Sequence, residues 1–136
     1  MIKVMFVCLG NICRSPMAEF VLKDMVNRKG LSNEFYIKSS ATSYEEIGND
    51  IYVGTRNILI QNNIPFTKRK ATRLTPEDYN KYDFIIGMEE ANIRDIKRIV
   101  GEDKEDFEFS EIKIMIDLLH YSKFMEEALY DRYVLQ

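Results

Sequence analysis

Ile2-Lys3-Val4-Met5-Phe6-Val7 runs straight into Cys8-Leu9-Gly10-Asn11-Ile12-Cys13-Arg14-Ser15-Pro16, and the join between these stretches decides the fold. The first stretch is a compact apolar run broken at once by Gly-Asn, which is how a buried parallel strand enters a loop. From Pro16 the period changes: Met17, Phe20, Val21 and Met25 recur near helical spacing. Ser15 is placed to cap this helix, Pro16 suits its first position, and Glu19 supplies an acid for the first turn. The helix should stop near Lys29-Gly30.

The same alternation continues along the chain. Residues 35–41 resemble a second strand, and Thr42 to Asp50 a polar loop holding Tyr44 and Gly48. Residues 51–62 suggest a helix through Ile51, Val53, Ile58 and Leu59. Ala71 to Leu74 fits a short strand, Thr75-Pro76-Glu77-Asp78 a helix start, and Asp83 to Met88 a clear strand. After Glu89 a helix runs through Ile93, Ile96, Lys97 and Val100 to Gly101. An acidic linker from Glu102 to Asp106 follows, then a strand with alternating Ile112, Ile114 and Ile116 and a helix over Phe124 to Leu135. Strands alternating with helices imply right-handed crossovers and an α/β, three-layer doubly wound fold, with helices on both faces of a parallel sheet. The length of 136 residues suits one domain, 1–136.

Bulk composition narrows the function. At 46% hydrophobic and 30% charged residues the chain is an ordinary globular one. A net charge of -3 provides no field for nucleic acid or an anionic membrane surface, so any anion site must be local. The apolar N-terminus is too short for a signal segment, and no stretch approaches the ~20 apolar residues that span a bilayer, so the chain reads as cytoplasmic. The two cysteines, Cys8 and Cys13, are too close together to tie distant segments by a disulfide framework. The single histidine, His120, has no ligand-spaced company, so neither a metal nor another cofactor is expected. Nothing selects an oligomeric state.

The chemistry lies in the first loop. Cys8 ends a buried strand and Arg14-Ser15 open a helix, so the amides of Leu9, Gly10, Asn11, Ile12, Cys13, Arg14 and Ser15 can converge on an anion, aided by the partial charge of the helix N-terminus. A dianionic phosphate suits that cradle, and Arg14 offers it a planar, permanently charged fork. The same field would stabilise a thiolate at Cys8, the attacking species in a displacement at phosphorus. The loop would then hold the equatorial oxygens while water cleaves a cysteinyl-phosphate. Gly10 permits a backbone turn, Asn11 can bridge loop groups, and Ser15 can donate to the Cys8 sulfur. A bare C-x5-R pattern arises often by chance; the strand before it and the helix start after it give it meaning.

Val7-Cys8-Leu9-Gly10-Asn11-Ile12-Cys13-Arg14-Ser15-Pro16-Met17-Ala18-Glu19 closely resembles the signature of the low-molecular-weight protein tyrosine phosphatases. A weaker likeness continues through Ser40-Ala41-Thr42, Gly48-Asn49, Arg73-Leu74, Asp83-Phe84-Ile85-Ile86 and Met88-Glu89-Glu90-Ala91-Asn92, covering roughly residues 1–101. The resemblance implies a four-stranded parallel sheet and hydrolysis of a phosphotyrosine protein or small aryl phosphates, with Cys8 as nucleophile and Arg14 on the phosphate. It also implies that Cys13 is a neighbouring thiol able to form a reversible disulfide with oxidised Cys8. The other reading of Cys13 is a small buried hydrophobe. Tyr44 is either the aromatic wall for a substrate ring or a solvated loop residue.

The family carries its general acid in a late Asp-Pro pair, and this sequence departs from it there. Its only prolines are Pro16, Pro65 and Pro76, so residues 103–136 form an atypical C-terminal segment that reads as shortened or replaced. Asp131, in Tyr130-Asp131-Arg132-Tyr133, and Asp117, in the alternating strand, are the substitutes on offer. Read on its helix, Asp131 is a solvated residue. His120 reads as a surface group, and the run from Glu102 to Asp106 as a solvated turn. A catalytically disabled phosphate- or phosphoprotein-binding module is the alternative to a phosphatase. An arsenate reductase ranks last, because no cysteine after Cys13 could relay a disulfide.

Overall fold

The computed structural model describes residues 1–101. The strand expected around Ile112 to Ile116, the helix over Phe124 to Leu135, and the placements of Asp117, His120 and Asp131 all lie outside the described residues. Three strands, β1 (Ile2–Cys8), β2 (Phe35–Ala41) and β3 (Phe84–Gly87), form a parallel sheet in the order β2-β1-β3. Val4 faces Ile37 on one side of β1 and Phe84 on the other, and Val7 faces Ser40 and Gly87. β1 is therefore the central strand, and its last five residues are all buried. The helices are α1 (Arg14–Arg28), α2 (Val53–Gln61), the short α3 (Asp78–Lys81) and α4 (Glu90–Val100).

Side chains alternate across a strand, so β1 feeds two cores at once. Val4, Phe6 and Cys8 join Phe20, Val21, Leu22 and Met25 of α1 and Leu59 of α2 on one face. Met5 and Val7 join Ile85, Tyr82, and Ile96 and Val100 of α4 on the other. Both faces of the sheet are thus covered, and burying each large apolar side chain contributes about 1.5–3 kcal/mol.

Several local expectations need correcting. α1 begins at Arg14 with Cys13 before it and no side-chain cap, because the Ser15 hydroxyl is turned inward. Glu19 is not a first-turn acid but a buried carboxylate, bonded by Lys23 and by the Ser39 hydroxyl. The helix closes where expected: Gly30 takes φ 71 and the Leu31 N–H returns to the Val26 carbonyl at 2.8 Å. α2 is shorter than 51–62, and Val53 and Ile58 lie on its exposed side while Leu59 alone of the expected set within it is fully buried. The strand anticipated at Ala71 to Leu74 reduces to one parallel bridge between Ala41 and Arg73. Among the described residues no helix is long and apolar enough to cross a membrane.

Gly87 lets α4 start close to the end of β3. A Cβ there would lie 2.7 Å from Ile93 Cδ1 and 3.2 Å from Asn92 Cβ. The isoleucine tip can swing away, but Asn92 is buried and fixed by its Oδ1, which accepts the Met88 N–H at 3.0 Å. Gly87→Val is expected to destabilise the fold by about 1–3 kcal/mol, seen as a lower urea midpoint at unchanged slope. An unchanged midpoint would show that this contact relaxes freely.

Candidate active site

The chain passes from β1 to β2 on one side and later to β3 on the other, so the C-terminal end of β1 lies at the point where the winding reverses. Crevices that bind ligands in open parallel sheets form at that point. Cys8 is the residue there, the last of β1, and it is buried. Its Sγ lies 3.0 Å from Ser15 Oγ and 3.3 Å from the Asn11 N–H.

The loop from Leu9 to Cys13 is held from outside by its carbonyls. Those of Cys8, Leu9 and Ile12 accept the N–H groups of Thr42, Ser43 and Tyr52 at 3.0, 3.0 and 2.8 Å, and that of Asn11 accepts Arg69 Nη2 at 2.7 Å. In a trans peptide the N–H points opposite to the C=O, and no cis bond occurs here. Outward carbonyls therefore turn the N–H groups of Leu9, Gly10, Ile12 and Cys13 toward the concave side. Together with the start of α1 they form a concave set of donors above the sulfur, an arrangement that can receive an anion.

The left-handed residue that makes this turn is Asn11, at φ 59, and not Gly10. Asparagine tolerates that conformation because its side chain bonds locally. Gly10 serves a different need, close approach: a Cβ on it would stand 3.3 Å from Glu46 Cγ. The fully buried Asn11 amide donates to Ser15 Oγ and Ser39 Oγ, both at 2.9 Å, and accepts from the Thr72 N–H at 3.1 Å and from Arg69.

Arg14 opens α1 at the rim and pairs with Glu89, which follows β3, at 3.0 Å. Both side chains are partly exposed, and ion pairs of that kind contribute about 0–1 kcal/mol, so this pair can open at little cost. Cys13 is exposed and accepts the Thr55 hydroxyl at 3.3 Å, which rules out the buried-hydrophobe reading. Tyr44 is 73% exposed and lies under the Arg73 guanidinium, whose carbon is 4.3 Å from the ring centroid.

The residues from Cys8 to Ser15 are thus brought together. Ser39 and Arg69, which with Glu19 and Glu89 complete the surroundings, carried no local sequence signal. Burial disfavours the Arg69 charge most strongly, while Glu19, Asp50 and Cys8 support it. Burial pushes the Asp50 carboxyl up, but the N–H groups of Ile51 and Arg69 and the charges of Arg56 and Arg69 outweigh it and hold it below the usual carboxylate range.

The family model of low molecular weight phosphotyrosine protein phosphatases matches residues 3–129. The chain belongs to this family. The low molecular weight protein-tyrosine-phosphatase YfkJ of Bacillus subtilis is 40% identical over 101 residues, 74% of this chain and 65% of that protein. The human low molecular weight phosphotyrosine protein phosphatase is 41% identical over 95 residues, 70% of this chain and 60% of its own. This chain thus spans somewhat less than two thirds of the length of these family members. The crystal structure of a low molecular weight protein tyrosine phosphatase from Streptococcus pyogenes superposes with TM-score 0.70 at 35% identity, covering 88% of this chain and 86% of that one.

Proposed function

We propose that the chain is a phosphatase that hydrolyses phosphotyrosine in proteins, or small aryl phosphates, through a cysteinyl-phosphate intermediate. The observation that carries this reading is the Cys8 sulfur on the floor of an inward-facing amide loop, with the Ser15 hydroxyl at 3.0 Å. The sulfur attacks phosphorus, the P–O bond to the phenol breaks, and water then cleaves the S–P bond to release phosphate. Leu9, Gly10, Ile12, Cys13 and Arg14 hold the equatorial oxygens through both steps. Ser15 steadies the sulfur as it leaves. Cys13 is the thiol that would trap an oxidised Cys8 as a disulfide.

The reading includes one domain over residues 1–136 and a fourth parallel strand beyond residue 101. With no Asp-Pro pair in the sequence, Asp131 and Asp117 are the candidates for protonating the leaving group. If neither reaches it, phenolates of high basicity depart about 10²–10⁴-fold more slowly than a good leaving group allows.

Rapid-mixing kinetics with p-nitrophenyl phosphate test the proposal, since p-nitrophenolate needs little protonation. Release that continues beyond one equivalent per chain is the expected result. Binding of phosphate or vanadate without any release would instead make the loop a binding module.

A further inference from the structure

We infer that Arg69 is a positioning residue that fixes the direction of the hydrogen-bond chain ending on Cys8. An amide such as that of Asn11 can be turned either way round, and its neighbours decide which. Its Oδ1 faces Arg69 Nη2 and the Thr72 N–H, and its Nδ2 faces Ser15 Oγ and Ser39 Oγ. A guanidinium and a backbone N–H can only donate, so the oxygen must face them and the NH₂ group must face the serines.

The consequence runs outward in two branches. Ser15 Oγ accepts a hydrogen bond from Asn11, so its own hydroxyl hydrogen is directed to its other neighbour, the Cys8 sulfur at 3.0 Å. Ser39 likewise accepts from Asn11 and donates to Glu19. A donor aimed at sulfur favours the thiolate over the thiol. Reversing the amide would ask Ser15 to donate backwards and would leave Cys8 without that bond.

Arg69 is well built for this task. One terminal nitrogen reaches both the carbonyl and the side-chain oxygen of Asn11, while the other lies 3.4 Å from the Asn49 carbonyl. It therefore also braces the left-handed backbone of Asn11 from outside the cradle. The titratable groups facing it are Glu19 from α1, Asp50 from the loop after β2, and Cys8 itself. Arg14 stands at the rim, engaged with Glu89. Thr72 would still orient the amide if Arg69 were lost, so the effect should be substantial but incomplete.

The inference extends the phosphatase reading, yet its test does not need turnover. Iodoacetamide is uncharged, and its rate with Cys8, followed by mass spectrometry, reports the thiolate. At fixed pH near neutrality, Arg69→Met should alkylate about tenfold more slowly. In a Ser15→Ala background, where the terminal donor is already gone, the same change should cost less than about threefold. A tenfold effect persisting without Ser15 would mean that Arg69 acts by its charge or by the fold alone, overturning the inference. So would an unaltered rate in the wild-type background. If circular dichroism finds Arg69→Met unfolded, the cycle is run with Arg69→Ala, which removes the obligate donor without burying a longer apolar side chain. Wild-type rates for Arg69→Ala would also overturn it. Absence of aryl phosphate hydrolysis in the parent chain would remove the phosphatase reading and leave these alkylation rates standing.

Discussion

Cys8→Ser is expected to abolish phosphate release, by at least about 10⁴-fold, while leaving the anion cradle intact. A serine hydroxyl stays protonated near neutral pH unless a base removes its proton, and the atoms around position 8 are donors: the Asn11 N–H and the Ser15 hydroxyl. The side chain that makes cysteine effective here gives serine nothing. The loop should keep its shape, because its carbonyls are tied to Thr42, Ser43, Tyr52 and Arg69 and not to the sulfur. Calorimetric binding of inorganic phosphate, beside the turnover assay, separates the two effects. Retained turnover would remove Cys8 from the mechanism; lost phosphate binding in a folded variant would show that the sulfur shapes the cradle.

Arg14→Ala should lose both functions. The guanidinium is the cation placed at the mouth of the loop, and deleting a preorganised donor to transferring oxygens typically costs about 10²–10³-fold in rate. Phosphate binding should weaken in parallel, since the charge acts on ground state and transition state alike. Arg14→Lys should recover little, because an ammonium cannot present two parallel N–H groups. Stability should hardly change: the pair with Glu89 is partly exposed and contributes at most about 1 kcal/mol. A drop in phosphate affinity at a matched denaturation midpoint is the expected signature. Turnover within threefold of the parent would place the phosphate elsewhere.

The central part of the fold was legible because each signal was local. The apolar run at β1 and the Gly-Asn break announced a buried strand and its loop, and the helical spacing of Phe20, Val21 and Met25 announced α1. A serine before Pro16 satisfies the capping rule. Tertiary contact won instead: a hydroxyl that bonds the Cys8 sulfur cannot also close the helix end. Glu19 departs from the first-turn expectation in the same way, since its partner Ser39 comes from β2. Arg69 could not be found from its neighbours, because the atoms it serves are 58 residues away. Gly10 permits a backbone turn, but the left-handed residue of the loop is Asn11, whose side-chain bonds support that conformation.

The outside ties of the Cys8 loop set the order in which the chain can acquire its chemistry. They come from residues 42, 43, 52 and 69, all later in sequence than the loop they shape. Cut free, residues 8–15 would be an unremarkable flexible peptide, with no concave side and no favoured place for charge. Synthesis runs from the N-terminal side, so Cys8 is made before every residue that ties its loop, and Arg69 is made 58 residues after the Asn11 carbonyl it holds. Until those distant segments close around it, the Cys8 thiol sits on a loop without a fixed concave side.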